Sequence, residues 1–208
     1  MAKVTVGPGG DLKRALENAH PDDVIEFTGT HRNVGKVRNL HGVTLRGLDA
    51  SAVIGSSGVQ DVANLRIEDS DGITLQAFTL KDATMNQARA LQVFRTRDLV
   101  AEDLTLGPNV KSDLIHLVSV RDSTLRRLHC DGEGGTWLRP GVAPHSAYCA
   151  EGCERVTIED LESLRSFGAS LQCNGESGPV RDVTFRRCLC RGWRNGFGVN
   201  LPRVSGVT

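Results

Sequence analysis

The stretch SDLIHLVSVRDSTLRRLHCDG, residues 112–132, alternates apolar and polar residues, breaks step once, and then alternates again. Five other stretches do the same: VTLRGLDA from Val43, ITLQAFTL from Ile73, LVAEDLTL from Leu99, VTIEDLES from Val156 and VTFRRCLC from Val183. With STLRRLHC from Ser123 they make six units, whose starts lie 30, 26, 24, 33 and 27 residues apart. Their first, third, sixth and eighth positions are apolar in 22 of 24 cases, against 3 of 24 for the other four, so the pattern is built in. A helix turning about 100° per residue would send those positions to roughly 0°, 200°, 140° and 340°, on opposite sides. Two short strands joined by a one-residue bend place all four on the same side.

A second inward pair precedes each unit: Leu65 and Ile67, Leu91 and Val93, Ile115 and Leu117, Ala147 and Cys149, Leu171 and Cys173. Each repeat therefore supplies three short strands and three bends, the content of one coil of a parallel β-helix. A leucine-rich repeat expects asparagine or cysteine at fixed places, and a propeller blade needs a longer period. Six to seven coils stacked about 4.8 Å apart make a rod of roughly 30 Å. Ahead of them, Leu12, Ala15, Leu16 and Ala19 mark one face of a short helix over residues 11–19, with Asp11 as N-cap and Pro21 as its stop. That helix is expected to cover the N-terminal end of the core. Residues 1–208 thus form one all-β domain, with coils over about 24–208.

Composition narrows the function. Twenty-five basic residues balance twenty-five acidic ones with no long basic run, which speaks against nucleic acid. The longest apolar runs are too short to span a membrane, and MAKVTVGPGGDLKRAL lacks the succession of a signal peptide. Cys149 and Cys153 have no second pair with histidines at finger spacing, so a zinc site is not expected. Most of the cysteines fall on inward positions and read as small core residues with free thiols. Thr44, Thr74, Thr124, Thr157 and Thr184 form an outward structural column.

GGDLKRALENAHPDDVIEFTGTH followed by coils such as RNLHGVTLRGLDASAVI resembles the right-handed parallel β-helix of the pectate-lyase-like superfamily, which includes pectate lyases, polygalacturonases, alginate lyases and epimerases, and phage tailspikes. The resemblance spans nearly the whole chain. It implies a polysaccharide partner along the strand face and an extracellular or virion setting; without it, a cytoplasmic one fits the missing signal peptide. The widest gap between units holds DGEGGTWLRPGVAPHSAYCAEGCE, expected to overhang one face. The candidate catalytic residues are Arg139, His145, Asp113, His116 and Asp131, with Glu133 as a further acid. Trp137, Tyr148 and Trp193 are candidate sugar-stacking rings. A lyase or epimerase must neutralise a uronate carboxylate, by arginine, lysine or bound calcium, and place a base near the carbon-5 proton. Calcium is the one candidate cofactor, and no protein metal ligands are assigned. A glycosidase would need paired carboxylates.

Two departures from family signatures bear on the reaction. The alginate epimerases carry Asp-Pro-His-Asp; here Pro144 and His145 are kept, but Ala143 and Ser146 stand where both acids belong. The polygalacturonase signatures are absent. A non-catalytic glycan-binding or structural β-helix of phage-appendage type, or a fragment of a longer protein, is therefore the alternative. The C-terminal stretch GVNLPRVSGVT shows no polar cap, which predicts truncation or self-association through an uncapped end.

Overall fold

The computed structural model describes residues 1–56, 63–85, 88–135, 143–175, 178–194, 197–201 and 204–208. It is a right-handed parallel β-helix. Among the described residues two curled sheets run along the axis, one of 13 strands and one of seven. The first sheet carries both arms of each unit, and the second carries the inward pairs that precede the units. Every pairing in both is parallel and in register, as in Leu65↔Leu91↔Ile115↔Ala147↔Leu171. No helix is long and apolar enough to cross a membrane among the described residues.

In five of the six units the expected bend is a left-handed residue at the fifth position: φ is 59° at Ala77, 55° at Asp103, 52° at Arg127, 51° at Asp160 and 52° at Arg187. Such a conformation costs an L-residue about 1–2 kcal/mol. It is sustained because the turned amide still reaches the next coil, with Ala77 N donating to Glu102 O and Asp103 N to Arg126 O at 3.2 Å each. Backbone pairing therefore continues through the corner, and the following strand faces the core again.

The inward pairs of the second sheet are all at most 1% exposed, and the four inward positions of the units from Ile73, Leu99, Ser123 and Val156 are buried. The first unit departs from the expected alignment. Leu48 is 46% exposed and Ala50 is also exposed, while Ala52 and Ile54 point inward at 1% and 0%. Residues 48–51 are an insertion at the bend, so the second arm is Val53–Ile54, stacked on Thr79–Leu80. On the last coil Phe197 and Val199, which repeat the spacing of the inward pairs, are 64% and 49% exposed.

At the other end the helix spans Leu12–Glu17, with Asp11 Oδ1 accepting from Arg14 N at 2.9 Å and Leu12 and Leu16 buried in the common core. A strand not foreseen in the sequence, Lys3–Val6, precedes the helix and pairs with Val24–Phe27. The six cysteines are free thiols, four of them buried, and Cys149 lies directly over Cys173.

The balanced charge has a structural counterpart in vertical columns of opposite sign. Glu26, Arg46, Gln76, Glu102, Arg126, Glu159 and Arg186 stack in successive coils of the first sheet. Arg126 Nε donates to Glu102 at 2.7 Å and Arg186 Nε to Glu159 at 2.9 Å. At the corner beside them Arg127 pairs with Asp103 and Arg187 with Asp160, at 2.7 and 2.6 Å. Singly, such exposed pairs contribute little, about 0–1 kcal/mol. As a column they support the observed register, since a slipped rung would move some of these charges away from their partners.

The corner geometry makes a two-sided prediction. Ala77→Gly should raise stability by about 0.5–1 kcal/mol, because glycine adopts the left-handed conformation without strain. Gly47→Ala should lower it by about 1–3 kcal/mol, since the new Cβ would stand 2.2 Å from the Ala77 carbonyl oxygen. Urea unfolding of the two variants beside the parent measures both.

Candidate functional site

The second sheet's outward face carries the densest chemistry. Two residues before each of its strands, Arg89, Asp113 and His145 stack in three successive coils. His116 follows on the strand Ile115–Val118, and Tyr148 lies directly over it in the next coil. Register alone thus converges residues up to 59 positions apart in the sequence, from Arg89 to Tyr148.

Asp113 is the hub. It is 2% exposed, and each of its oxygens meets one imidazole: His116 Nδ1 lies 2.7 Å from Oδ2, and His145 Nδ1 lies 3.0 Å from Oδ1. The His145 backbone N–H also donates to Oδ1, at 2.9 Å. Arg89 Nε stands 3.4 Å from Oδ2 and 3.0 Å from His116 Nδ1. Burial by itself pushes the Asp113 carboxyl up, but the two imidazoles on its oxygens outweigh burial and hold it well below the usual carboxylate range. The carboxylate stays charged and orients both rings: Nδ1 of His145 turns toward Oδ1, while Nδ1 of His116 sits between Oδ2 and the Arg89 Nε–H, which donates to it.

The rings pack around Tyr148. Its centroid is 4.8 Å from that of His116, edge to face, and 5.2 Å from that of His145. Phe94 stacks on the other side of His116 at 6.4 Å with planes 12° apart, and Arg66 Cζ lies 4.4 Å above the Phe94 ring. Behind His145, a cavity of about 10 Å³ is bordered by Ser112, Ser146, Ser166 and Phe167. The arrangement offers two oriented imidazoles, a phenol, an aromatic floor and flanking cations.

The structure thus brings together Asp113, His116, His145 and Tyr148. Asp131 and Glu133 stand elsewhere, at the end of the strand Arg121–Asp131, in a clasp with Arg165. Asp131 Oδ1 accepts from Arg165 Nε at 3.0 Å and from Glu133 N at 3.1 Å, and Arg165 also meets Glu133 at 2.9 Å. Trp193 is 47% exposed on the last coil, near Gly198, apart from the histidines. Trp137 and Arg139 lie outside the described residues. Sequence inspection missed Arg89, Arg66 and Phe94; aligning the residues two before each inward strand across coils would have placed Arg89 beside Asp113. No group of three or more His, Cys, Asp or Glu side chains could hold a metal ion among the described residues. Asp113 and Asp131 are both engaged by cationic or imidazole partners, so calcium does not fit there and no step is routed through it.

No family model matches the chain, and no curated protein matches it either. Solved structures do. A Geobacillus virus E2 protein, ORF18, superposes with a TM-score of 0.71 at 12% identity, over 89% of this chain and 42% of that one. A pectin methylesterase in complex with a hexasaccharide gives 0.62 at 14%, over 89% and 65%. The Aspergillus niger pectin methylesterase gives 0.61 at 14%, over 97% and 84%. This chain therefore spans about two fifths of the viral protein and under two thirds of the first esterase. At such identities the likeness establishes the parallel β-helix fold and nothing finer.

Asp113 also makes the site a stability element. Its folded pKa is depressed, so its contribution is fully present above the unfolded value of about 3.9 and is lost as pH falls through the folded one. Acid titration of unfolding free energy should show that loss in the parent and a smaller loss in Asp113→Asn. Asp113→Ala, which leaves Arg89 and both imidazoles without their acceptor, should cost about 3 kcal/mol at neutral pH.

Proposed function

We propose that this protein binds an acidic polysaccharide along the outward face of the second sheet and cleaves it by elimination. The observation that carries this reading is one buried carboxylate orienting two imidazoles on either side of a tyrosine, at the surface of a fold whose solved examples include pectin methylesterases, one of them holding a hexasaccharide.

The chemistry follows from the groups present. With Nδ1 tied to Asp113, the Nε2 lone pair of one imidazole is the base that removes the carbon-5 proton of a uronate. The freed electron pair forms the C4–C5 double bond, and the C4–O4 bond breaks. The departing O4 takes a proton from the hydroxyl of Tyr148, whose ring lies against both imidazoles. Negative charge building on the carboxylate needs a cation, and Arg89 supplies one beside His116. Arg139, expected in this role from the sequence, is part of the proposal in the same capacity. Hydrolysis by a carboxylate pair is less well supported, because Asp113 and Asp131 are bound to partners in different clusters.

A second reading, a glycan-binding body without turnover, is favoured by one fact: the side chains of His116 and His145 are each only 12% exposed. The likeness to a viral protein is compatible with it.

An ultraviolet assay for unsaturated uronates across pectate, alginate and other acidic glycans separates the two. Elimination on one polymer is expected, falling about 100-fold or more in His116→Ala, His145→Ala or Tyr148→Phe. Binding without absorbance change would leave the silent body standing, and neither binding nor turnover on any acidic glycan would remove both.

A further inference from the structure

The outward column that holds His116 and Tyr148 runs the length of the second sheet, and its character changes along the way. At its N-terminal end stand Lys36 and then Arg66, in register. Gln92 and His116 follow, then Tyr148. Gln172 and Asn200 complete it, with Asn200 Nδ2 donating to Gln172 Oε1 at 3.4 Å. One end is cationic and the other consists of uncharged amides.

The cationic end carries an excess of charge. Arg38 lies beside Lys36 on the same strand and is exposed. Lys36 and Arg66 share a single acid, Glu68, with Lys36 Nζ 3.8 Å from it and Arg66 in closer contact. Glu68 is buried at 5% exposure while Lys36 and Arg66 are 43% and 28% exposed, so a ligand meets the cations and not the acid. Between the two ends, Phe94, His116 and Tyr148 form a continuous ring floor. An extended polymer laid along the column meets one coil about every 4.8 Å, so successive sugars are presented first with cations, then with rings, then with amides.

We infer that the face recognises a junction in its polymer, with uronates on the Lys36–Arg66 side of the histidine pair and uncharged sugars on the Gln172–Asn200 side. Carboxylates at the cationic end are matched by charge. At the amide end a carboxylate gains no counter-charge, while the hydroxyls and ester or amide groups of uncharged sugars find donors and acceptors. The inference rests on the glycan reading above and goes beyond it by fixing the direction and composition of the ligand.

Calorimetric titration with four oligosaccharides of one length tests it: fully charged, fully carboxyl-reduced, and two blocks with the charged half at the reducing or the non-reducing end. One block is expected to bind about threefold to tenfold tighter than the other three. Lys36→Gln should shrink that preference, and Gln172→Lys should move it toward the fully charged oligomer. Both substitutions lie outside the Asp113 cluster, and thermal unfolding checks that they fold. If either uniform oligomer binds at least as tightly as both blocks, the junction is overturned while the glycan reading stands. If none of the four binds, both fall together.

Discussion

The structure depends on one constraint: each residue must lie over its equivalent in the next coil, with the backbone bonded to it even where the chain turns. Corner residues satisfy this by going left-handed. Their amides point along the axis, as with Asp69 N to Phe94 O, Asp98 N to Arg121 O and Asp103 N to Arg126 O, at 3.1 to 3.2 Å. Hydrogen bonding is thereby kept continuous through three bends per coil, and side chains are sorted into columns. Everything else, including the buried ladders, the alternating charges and the site, is a property of a column and not of a segment.

Columns explain which parts of the molecule were legible in the sequence. The broken alternation exposed the bend, because an inward pair, one turned residue and another inward pair leave an unmistakable trace at Ile73, Leu99, Ser123 and Val156. It misled at Val43 because residues 48–51 were inserted at the bend itself, and Leu48 mimics an inward residue by composition alone. The strand Lys3–Val6 left little trace: three of its four residues are exposed, and it is held by pairing to Val24–Phe27 and not by burial. Asp113 and His116 could be picked out as acid and base next to inward Ile115 and Leu117. Arg89 shows itself only when the residues two before each inward pair are aligned across coils, because its relevance lies in the register that places it below Asp113.

The same logic separates structural from functional charge. Where the arginines of the first sheet meet acids across coils, the pairs repeat along the column, as register devices do. Asp113 differs in serving two imidazoles and in having no counterpart in the coils above and below, where Arg89 and His145 occupy its position. Repetition is what a solenoid's stability selects, and a break in repetition needs a local reason. A buried carboxylate that gathers two histidines and an arginine from three coils has an evident one, because it orients both imidazoles side by side.

That surface is stiff, which bears on how it could act. The inward neighbours of His116 and Tyr148, namely Ile115, Leu117, Ala147 and Cys149, are all 0% exposed, so the strands beneath the site have no room to adjust. Binding to such a face depends on the polymer matching the spacing of the coils, not on closure around it. Both imidazoles are largely covered by their neighbours, with the Phe94 and Tyr148 rings against His116. Rigidity and partial cover together favour a linear chain held at several coils at once, whose reacting sugar is set in place by contacts to its neighbours. On the proposed reading, the flanking residues of the column select the ligand and the Asp113 cluster acts on it.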